Sequence, residues 1–244
     1  MKLTREQRLI NLPPITNIRS LGGYENDTLE STKAHKYVRS ALIANVSEES
    51  LQKLYDFGIR AVVDLRSEME IERNPHALNG YRDIAYYHIN LIGKKDVNVM
   101  PDDVEELSDL YIFLVDQRPQ KIKAIFEYFL KHQGQGVLFN CSAGKDRTGV
   151  IAAMLLDLAG IRDEVIVRDY SESFENNLPI YEFLQSECGN VLAAKLLNSN
   201  PEQMIRFLDH FRSRYKNTRE YLLSLGFTTE EIVTLRNDFV NSAC

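Results

Sequence analysis

Cys141 and Arg147 are separated by five residues in the stretch Asn140-Cys141-Ser142-Ala143-Gly144-Lys145-Asp146-Arg147-Thr148-Gly149. A short apolar run, Val137-Leu138-Phe139, precedes this stretch, and a helix-like apolar segment follows it. A short loop between a strand end and a helix start aims several backbone N–H groups at one point, and the helix N-terminus adds positive potential there. Such a nest suits a phosphate dianion or a similar oxyanion. Ser142, Ala143, Gly144, Lys145, Asp146 and Arg147 would line it. The small residues Ala143 and Gly144 let the backbone approach closely. The planar fork of Arg147 can grip two phosphate oxygens together, which a lysine cannot do.

The same setting acts on the cysteine. A free thiol titrates near about 8.5, and a helix N-terminus with nearby cations lowers that by one to several units. A thiolate at the floor of a phosphate-shaped cup is an in-line nucleophile for phosphorus. The chemistry implied is a two-step transfer in which a phosphocysteine forms and water then hydrolyses it. Buried cysteines are more often inert, but here the glycine, the arginine spacing and the strand–loop–helix setting coincide. A nucleotide-binding loop does not fit, because Asp146 stands where Ser or Thr is needed and Phe139 where the first Gly is needed. A rhodanese-like sulfur carrier generally lacks the Arg-Thr-Gly exit into a helix.

The elements that must position this loop follow from periodicity. Residues 1–50 read as loops and short strands, with Gly22-Gly23 as a turn and Lys36–Ile43 strand-like. Ser47 caps a helix that stops at Gly58, and Arg60–Leu65 is a short buried strand. A short polar helix ends before Pro75, and Tyr86–Ile92 is a further strand. Residues 93–103 form a polar connection. Two helices follow, over 104–117 and 119–132, the second opening on Pro119. The segment after Arg147 is apolar on almost all sides and reads as a buried helix ending at Gly160. The tail, about 162–244, is helical throughout, including 190–198. This alternation predicts an α/β fold with a mostly parallel central sheet flanked by helices, in one domain over 1–244, with the helical tail as a lid or lateral subdomain.

Composition sets the outer limits. The chain has 244 residues, 44% apolar and 26% charged, which is ample for a core. No apolar run approaches the roughly 18 residues of a membrane span, and the start lacks a signal-peptide core. A cytoplasmic protein without integral membrane association is expected, with export by a signal-independent route left open. A net charge of −6 argues against a general nucleic-acid binder. Cys141, Cys188 and Cys244 form no CxxC pair, and the five histidines show no HExxH spacing, so neither a disulfide framework nor a bound metal or other cofactor is expected.

The loop resembles the Cys-x5-Arg signature of protein tyrosine phosphatases. It is more similar to the bacterial tyrosine/serine phosphatase family, whose loop reads His-Cys-x-Ala-Gly-Lys-Asp-Arg-Thr-Gly. Asn17-Ile18-Arg19-Ser20-Leu21-Gly22-Gly23-Tyr24, Val38-Arg39-Ser40, Val63-Asp64-Leu65-Arg66 and the tail positions Tyr221, Leu222, Gly226, Leu235 and Arg236 are also similar to that family's segments. The resemblance implies a protein-tyrosine-phosphatase-like fold. It also implies hydrolysis of phosphotyrosine in a phosphorylated protein or peptide, often with action on phosphoserine, phosphothreonine or phosphoinositides. Lys145 would be an extra cation for a second phosphate on an inositol ring, or a solvated lysine balanced by Asp146. Asn140 departs from the pattern, standing where the family carries histidine. Its amide can donate a hydrogen bond but carries no charge, which would raise the Cys141 pKa and slow turnover; the alternative it leaves open is a phosphate-binding module with little turnover.

The leaving oxygen needs a proton. The resemblance gives Asp146 that role, and its place in the loop puts it near the pocket rim. Asp64 is the alternative, at the C-terminal end of a predicted parallel strand. Asp102, Asp103, Asp109 and Asp116 read as solvated charges. Thr148 would bond the Cys141 sulfur and aid its departure, or cap the following helix. Arg19, Arg39 and Arg66 would buttress the loop or bind substrate, or else be solvated or ion-paired.

Overall fold

The computed structural model describes residues 2–93, 105–179 and 199–241. In chain order the elements are α1 (Arg5–Arg8), β1 (Arg19–Ser20), β2 (Ser31–Thr32), β3 (Tyr37–Ser40), α2 (Glu48–Asp56), β4 (Ile59–Asp64), α3 (Glu68–Arg73) and β5 (Ala85–His88). They continue with α4 (Leu107–Gln117), α5 (Pro119–Lys131), β6 (Gly136–Asn140), α6 (Asp146–Leu158), α7 (Asp163–Asn176), α8 (Pro201–Tyr215), α9 (Thr218–Ser224), α10 (Thr229–Phe239) and β7 (Val240–Asn241).

The main sheet runs β1-β3-β6-β4-β5. The pairs β3–β6, β6–β4 and β4–β5 are parallel, and only β1 is antiparallel to its neighbour. The expected fold class is therefore what the chain adopts. Side chains alternate across a strand, and the sequence uses both faces. Val137 and Phe139 enter one apolar cluster while Leu138 enters the other; Ala61 and Val63 divide from Val62 in the same way. Strands covered on both sides need apolar residues at every position, and full burial of each large one is worth about 1.5–3 kcal/mol. Helices α4, α5 and α6 supply the larger cluster through residues such as Leu114, Phe126 and Leu155, and α2 closes the other face with Leu51 and Leu54. In α6 every residue but Asp146 and Asp157 is buried.

Ser47 caps α2 as expected, accepting from the Ser50 N–H. Two expected strands are shorter than their apolar runs. The one placed at 36–43 ends at Ser40, because the Ala41 N–H turns to the Thr16 carbonyl and the Leu42 N–H to that of Ser142. The one placed at 86–92 is Ala85–His88; β4 ends at Asp64, and beyond it the pairing thins to single bonds, from the Ile89 N–H to the Asp64 carbonyl at 2.9 Å and from the Leu91 N–H to that of Leu65 at 3.4 Å. Leu91 and Ile92 are buried all the same. The described tail is helical as expected except at its end, where Val240–Asn241 is a strand, and its helices belong to the large cluster: Met204 and Phe207 of α8, Leu222 of α9 and Leu235 of α10 all enter it. The β2–β7 pairing, Ser31 opposite Asn241, ties the tail to the N-terminal segment. The helix expected at 190–198, together with Cys188, Cys244, Asp102 and Asp103, lies outside the described residues. No described helix is long and apolar enough to cross a membrane.

Candidate active site

Ser40, Asn140 and Asp64 lie side by side at the C-terminal ends of β3, β6 and β4. From Asn140 the chain enters the loop and then α6. Cys141 is buried. Gly144 has φ +63°, and a Cβ there would come within 2.3 Å of the Ser40 carbonyl. The glycine is thus required by close contact with β3, in addition to the left-handed backbone that favours glycine.

The loop's shape is set by what holds its carbonyls. The Cys141 carbonyl accepts from Asn140 Nδ2 at 3.3 Å, and that of Ser142 from the Leu42 N–H at 3.0 Å. The Ala143 carbonyl accepts from Asn17 Nδ2 and Asn177 Nδ2, each at 2.9 Å. Gly144 is held by Asn17 Nδ2 at 2.9 Å and Arg39 Nη2 at 2.8 Å. With its carbonyls engaged by the surrounding protein, the loop has N–H groups to spare. Those of Ser142, Ala143, Gly144 and Asp146 donate to no backbone carbonyl among the described residues. Lys145 occupies the N-cap of α6 without a side-chain capping bond. The unsatisfied N–H groups of a helix start are the donors an anion needs.

Behind these donors stands one carboxylate. Asp169, on α7, receives Arg19 Nε at 3.0 Å, Tyr24 Oη at 3.0 Å and a very short bond from Arg39 Nη1. Arg19 also donates to Asn17 Oδ1, which turns the Asn17 amide so that its NH2 faces the loop. Burial opposes ionisation of Asp169, but the two guanidinium charges win and hold its carboxyl well below the usual range. Arg19 and Arg39 are therefore buried braces of the loop rather than solvated residues.

Arg147 is fixed from the other side. Glu70 Oε2 and Oε1 accept from its Nη1 and Nη2, at 2.7 and 2.8 Å. This uses the terminal edge of the guanidinium and leaves the Nε–Nη2 edge for an oxyanion. Glu70 owes its place to a capping box: Ser67 caps α3, and the Ser67 N–H donates to Glu70 Oε2 at 2.8 Å. The exposed Ser142 hydroxyl also donates to Glu70. Burial works against the Glu70 charge, but Arg147 and Ser142 bring its pKa down to about 2. Arg66 donates to the Asn74 carbonyl at 2.8 Å and the Glu70 carbonyl at 3.3 Å, anchoring the end of α3. In turn it is paired with Asp64, Nη2 to Oδ2 at 2.7 Å.

The two candidate acids differ sharply. The Asp64 side chain is 0% exposed and held by Arg66 and by Tyr86 Oη at 2.8 Å. Burial would raise its pKa, but the Arg66 bonds and charge outweigh that and lower it. Asp146 is 23% exposed, sits in the loop, and takes a 2.5 Å bond from Tyr111 Oη on Oδ1. Tyr111 is bonded in turn to Tyr170 at 2.7 Å, and burial raises its own pKa well above the ordinary value, so it stays a donor. Lys145 is buried, with Nζ 3.5 Å from Asp146, so it is not a solvated side chain. Thr148 lies beyond the helix cap; its Oγ1 is buried with no hydrogen-bond partner among the described residues, so capping is not its role.

A family model described as the tyrosine phosphatase family matches residues 10–241. The chain belongs to that family. A tyrosine-protein phosphatase of Nostoc commune is 32% identical over 143 residues, which is 57% of this chain and 49% of that protein. The triple specificity protein phosphatase PtpB of Mycobacterium tuberculosis is 38% identical over 69 residues, 26% of this chain and 25% of that one. The matched stretches therefore span about half, or less, of these relatives. The crystal structure of P. aeruginosa TpbA aligns over 81% of this chain and 91% of its own, at 14% identity and a TM-score of 0.37.

The sequence singled out Cys141 to Thr148 together, and the fold brings Arg147 and Asp146 to one loop with Cys141. It missed Glu70, Asp169, Asn177 and Tyr111. For Glu70 a signal existed, since Ser67-x-x-Glu70 is a capping-box pattern; nothing in that pattern says which arginine the carboxylate also meets.

Proposed function

We propose that this chain is a cysteine-dependent phosphatase that hydrolyses phosphotyrosine in proteins or peptides. The observation that carries this reading is the loop itself. Its carbonyls are all held by surrounding groups, Cys141 lies at its start, and Arg147 is gripped along one edge with the other edge left over.

The phosphoryl group enters the nest with its oxygens on the loop N–H groups and on Arg147 Nε and Nη2. Cys141 Sγ attacks phosphorus as the P–O bond to tyrosine breaks. Asp146 gives its proton to the departing phenoxide, and Tyr111 holds the carboxyl through Oδ1. Water then attacks phosphorus of the phosphocysteine as Asp146 takes a proton from that water; the S–P bond breaks, the thiolate returns to Cys141, and inorganic phosphate departs. Thr148 Oγ1, which has no other partner among the described residues, donates to the departing sulfur. Asp64 is assigned to the support of α3 through Arg66, because full burial keeps it from substrate.

The name of the mycobacterial relative supports action on more than one kind of phosphoresidue. A phosphoinositide preference rests on Lys145, which is buried beside Asp146; this favours a role within the loop over a second-phosphate contact. A cytoplasmic setting remains the expectation for such a substrate.

Turnover of an aryl phosphate should disappear in Cys141→Ser while the thermal unfolding curve persists. A fully active Cys141→Ser protein would refute the mechanism. Parallel assays with phosphopeptides and phosphoinositides rank the substrate classes.

A further inference from the structure

His76 and Asn140 are both buried at the C-terminal ends of β4 and β6: the His76 ring packs 5.5 Å from that of Tyr86, whose Oη bonds Asp64, the register partner of Asn140. The Leu78 N–H donates to His76 Nδ1 at 3.1 Å. That bond fixes the tautomer and leaves the ring hydrogen on Nε2. His76 Nε2 and Asn140 Oδ1 are sealed from solvent, and among the described residues neither atom has a hydrogen-bond partner: one is a buried donor without an acceptor, the other a buried acceptor without a donor. Asn140 is among the groups that act on the His76 charge, raising its pKa against burial. On the far side of the amide, Asn140 Nδ2 donates to the Cys141 carbonyl at 3.3 Å.

We propose that His76 is a positioning residue for Cys141: its Nε2–H donates to Asn140 Oδ1 and so fixes which way round the Asn140 amide sits against the Cys141 carbonyl. An asparagine side chain has nearly the same shape in both orientations, and only its partners choose between them. Turned over, Oδ1 would face the Cys141 carbonyl, acceptor against acceptor. Nδ2 would face His76 Nε2–H, donor against donor. The relay from the Leu78 N–H through His76 and Asn140 excludes that state. It keeps the first peptide of the loop in the orientation that the other held carbonyls share. The dipoles around the Cys141 sulfur depend on that orientation.

The surrounding charges are few. Asp64 and Arg66 act on His76, and the Tyr86 ring lies 5.5 Å from it. Arg147 faces Cys141. Removing the His76 donor leaves all of these in place. Burial, opposed by Asp64, lowers the His76 pKa to about 4, so the imidazole stays neutral across the range in which a thiol is titrated.

This inference rests on Cys141 as the reacting thiol, and its test does not require turnover. The rate of alkylation by iodoacetamide is followed against pH on the Cys141 peptide by mass spectrometry. Wild type, His76→Leu, His76→Gln, Asn140→Leu and the double leucine variant are compared. His76→Leu should raise the midpoint by about one pH unit, the worth of one well-placed buried hydrogen bond. His76→Gln, which keeps an N–H donor, should recover most of that shift. Asn140→Leu should match His76→Leu, and the double variant should go no further. A folded His76→Leu protein with the wild-type midpoint overturns the proposal, as does a double variant whose shift is the sum of the two. If His76→Leu does not fold, the imidazole tautomer in the wild type decides, read by nitrogen NMR. A hydrogen on Nε2 supports the relay, and one on Nδ1 overturns it. Failure of the phosphatase reading appears separately, as a wild type that alkylates at Cys141 yet releases no phosphate.

Discussion

Glu70 takes both terminal nitrogens of Arg147, at 2.7 and 2.8 Å, and leaves the side edge of the guanidinium for a ligand. The ion pair does for the arginine what the held carbonyls do for the loop: it sets the direction of donors before substrate arrives. Glu70→Gln keeps the shape and removes the charge. Charge-assisted bonds are worth about 1.5–3 kcal/mol, so kcat/KM for an aryl phosphate should fall by about 10–100-fold. A Glu70→Gln enzyme with wild-type kinetics would show that Arg147 needs no such support.

The same pair makes stability depend on pH. The Glu70 pKa is lowered from 4.5 to about 2 in the folded chain. Its stabilisation is therefore complete above about 4.5 and is lost as pH falls toward about 2. Urea unfolding at a series of pH values should show the wild type losing its advantage over Glu70→Gln across that window. Parallel curves for the two proteins would contradict the assignment.

Proton donation can be separated from support by varying the leaving group. Asp146→Asn should reduce hydrolysis of phosphoserine peptides, whose leaving alcohol is poor, by about 10²–10⁴-fold. Nitrophenyl phosphate, with a good leaving group, should be much less affected. Tyr111→Phe should shift the same ratio in the same direction by a smaller factor, since Tyr111 orients Oδ1 without giving up a proton to substrate.

Asp64→Asn should behave otherwise. It breaks a pair whose side chains are both 0% exposed, and leaving a buried charge uncompensated costs about 3–5 kcal/mol. The midpoint of chemical denaturation should drop while the ratio between poor and good leaving groups stays constant. A changed ratio in a stable Asp64→Asn protein would return Asp64 to the chemistry.

Much of this was readable in the sequence because the groups proposed to react are local. Cys141, Asp146, Arg147 and Thr148 sit within one turn of chain, and the strand before them and the helix after them announce themselves by apolar periodicity. What supports them is not local. Asp169 is one acid among several on an ordinary amphipathic helix, and its meaning appears only when Arg19 and Arg39 converge on it from two strands. Asp64 was a fair candidate by position, since strand ends collect sites. Only burial and the Arg66 pair separate it from Asp146. The strand expected to reach Ile43 stopped at Ser40 for a similar reason, as its next two N–H groups are drawn to Thr16 and Ser142.

The convergence on Asp169 has a consequence for how the chain comes alive. Arg19 and Arg39 come from the first forty residues, and Asp169 from a helix that is synthesised after the loop. The loop is held open only when these distant stretches have met. A growing or truncated chain that already contains Cys141 and Arg147 but lacks Asp169 has the loop residues without the carboxylate that fixes Arg19 and Arg39 behind them.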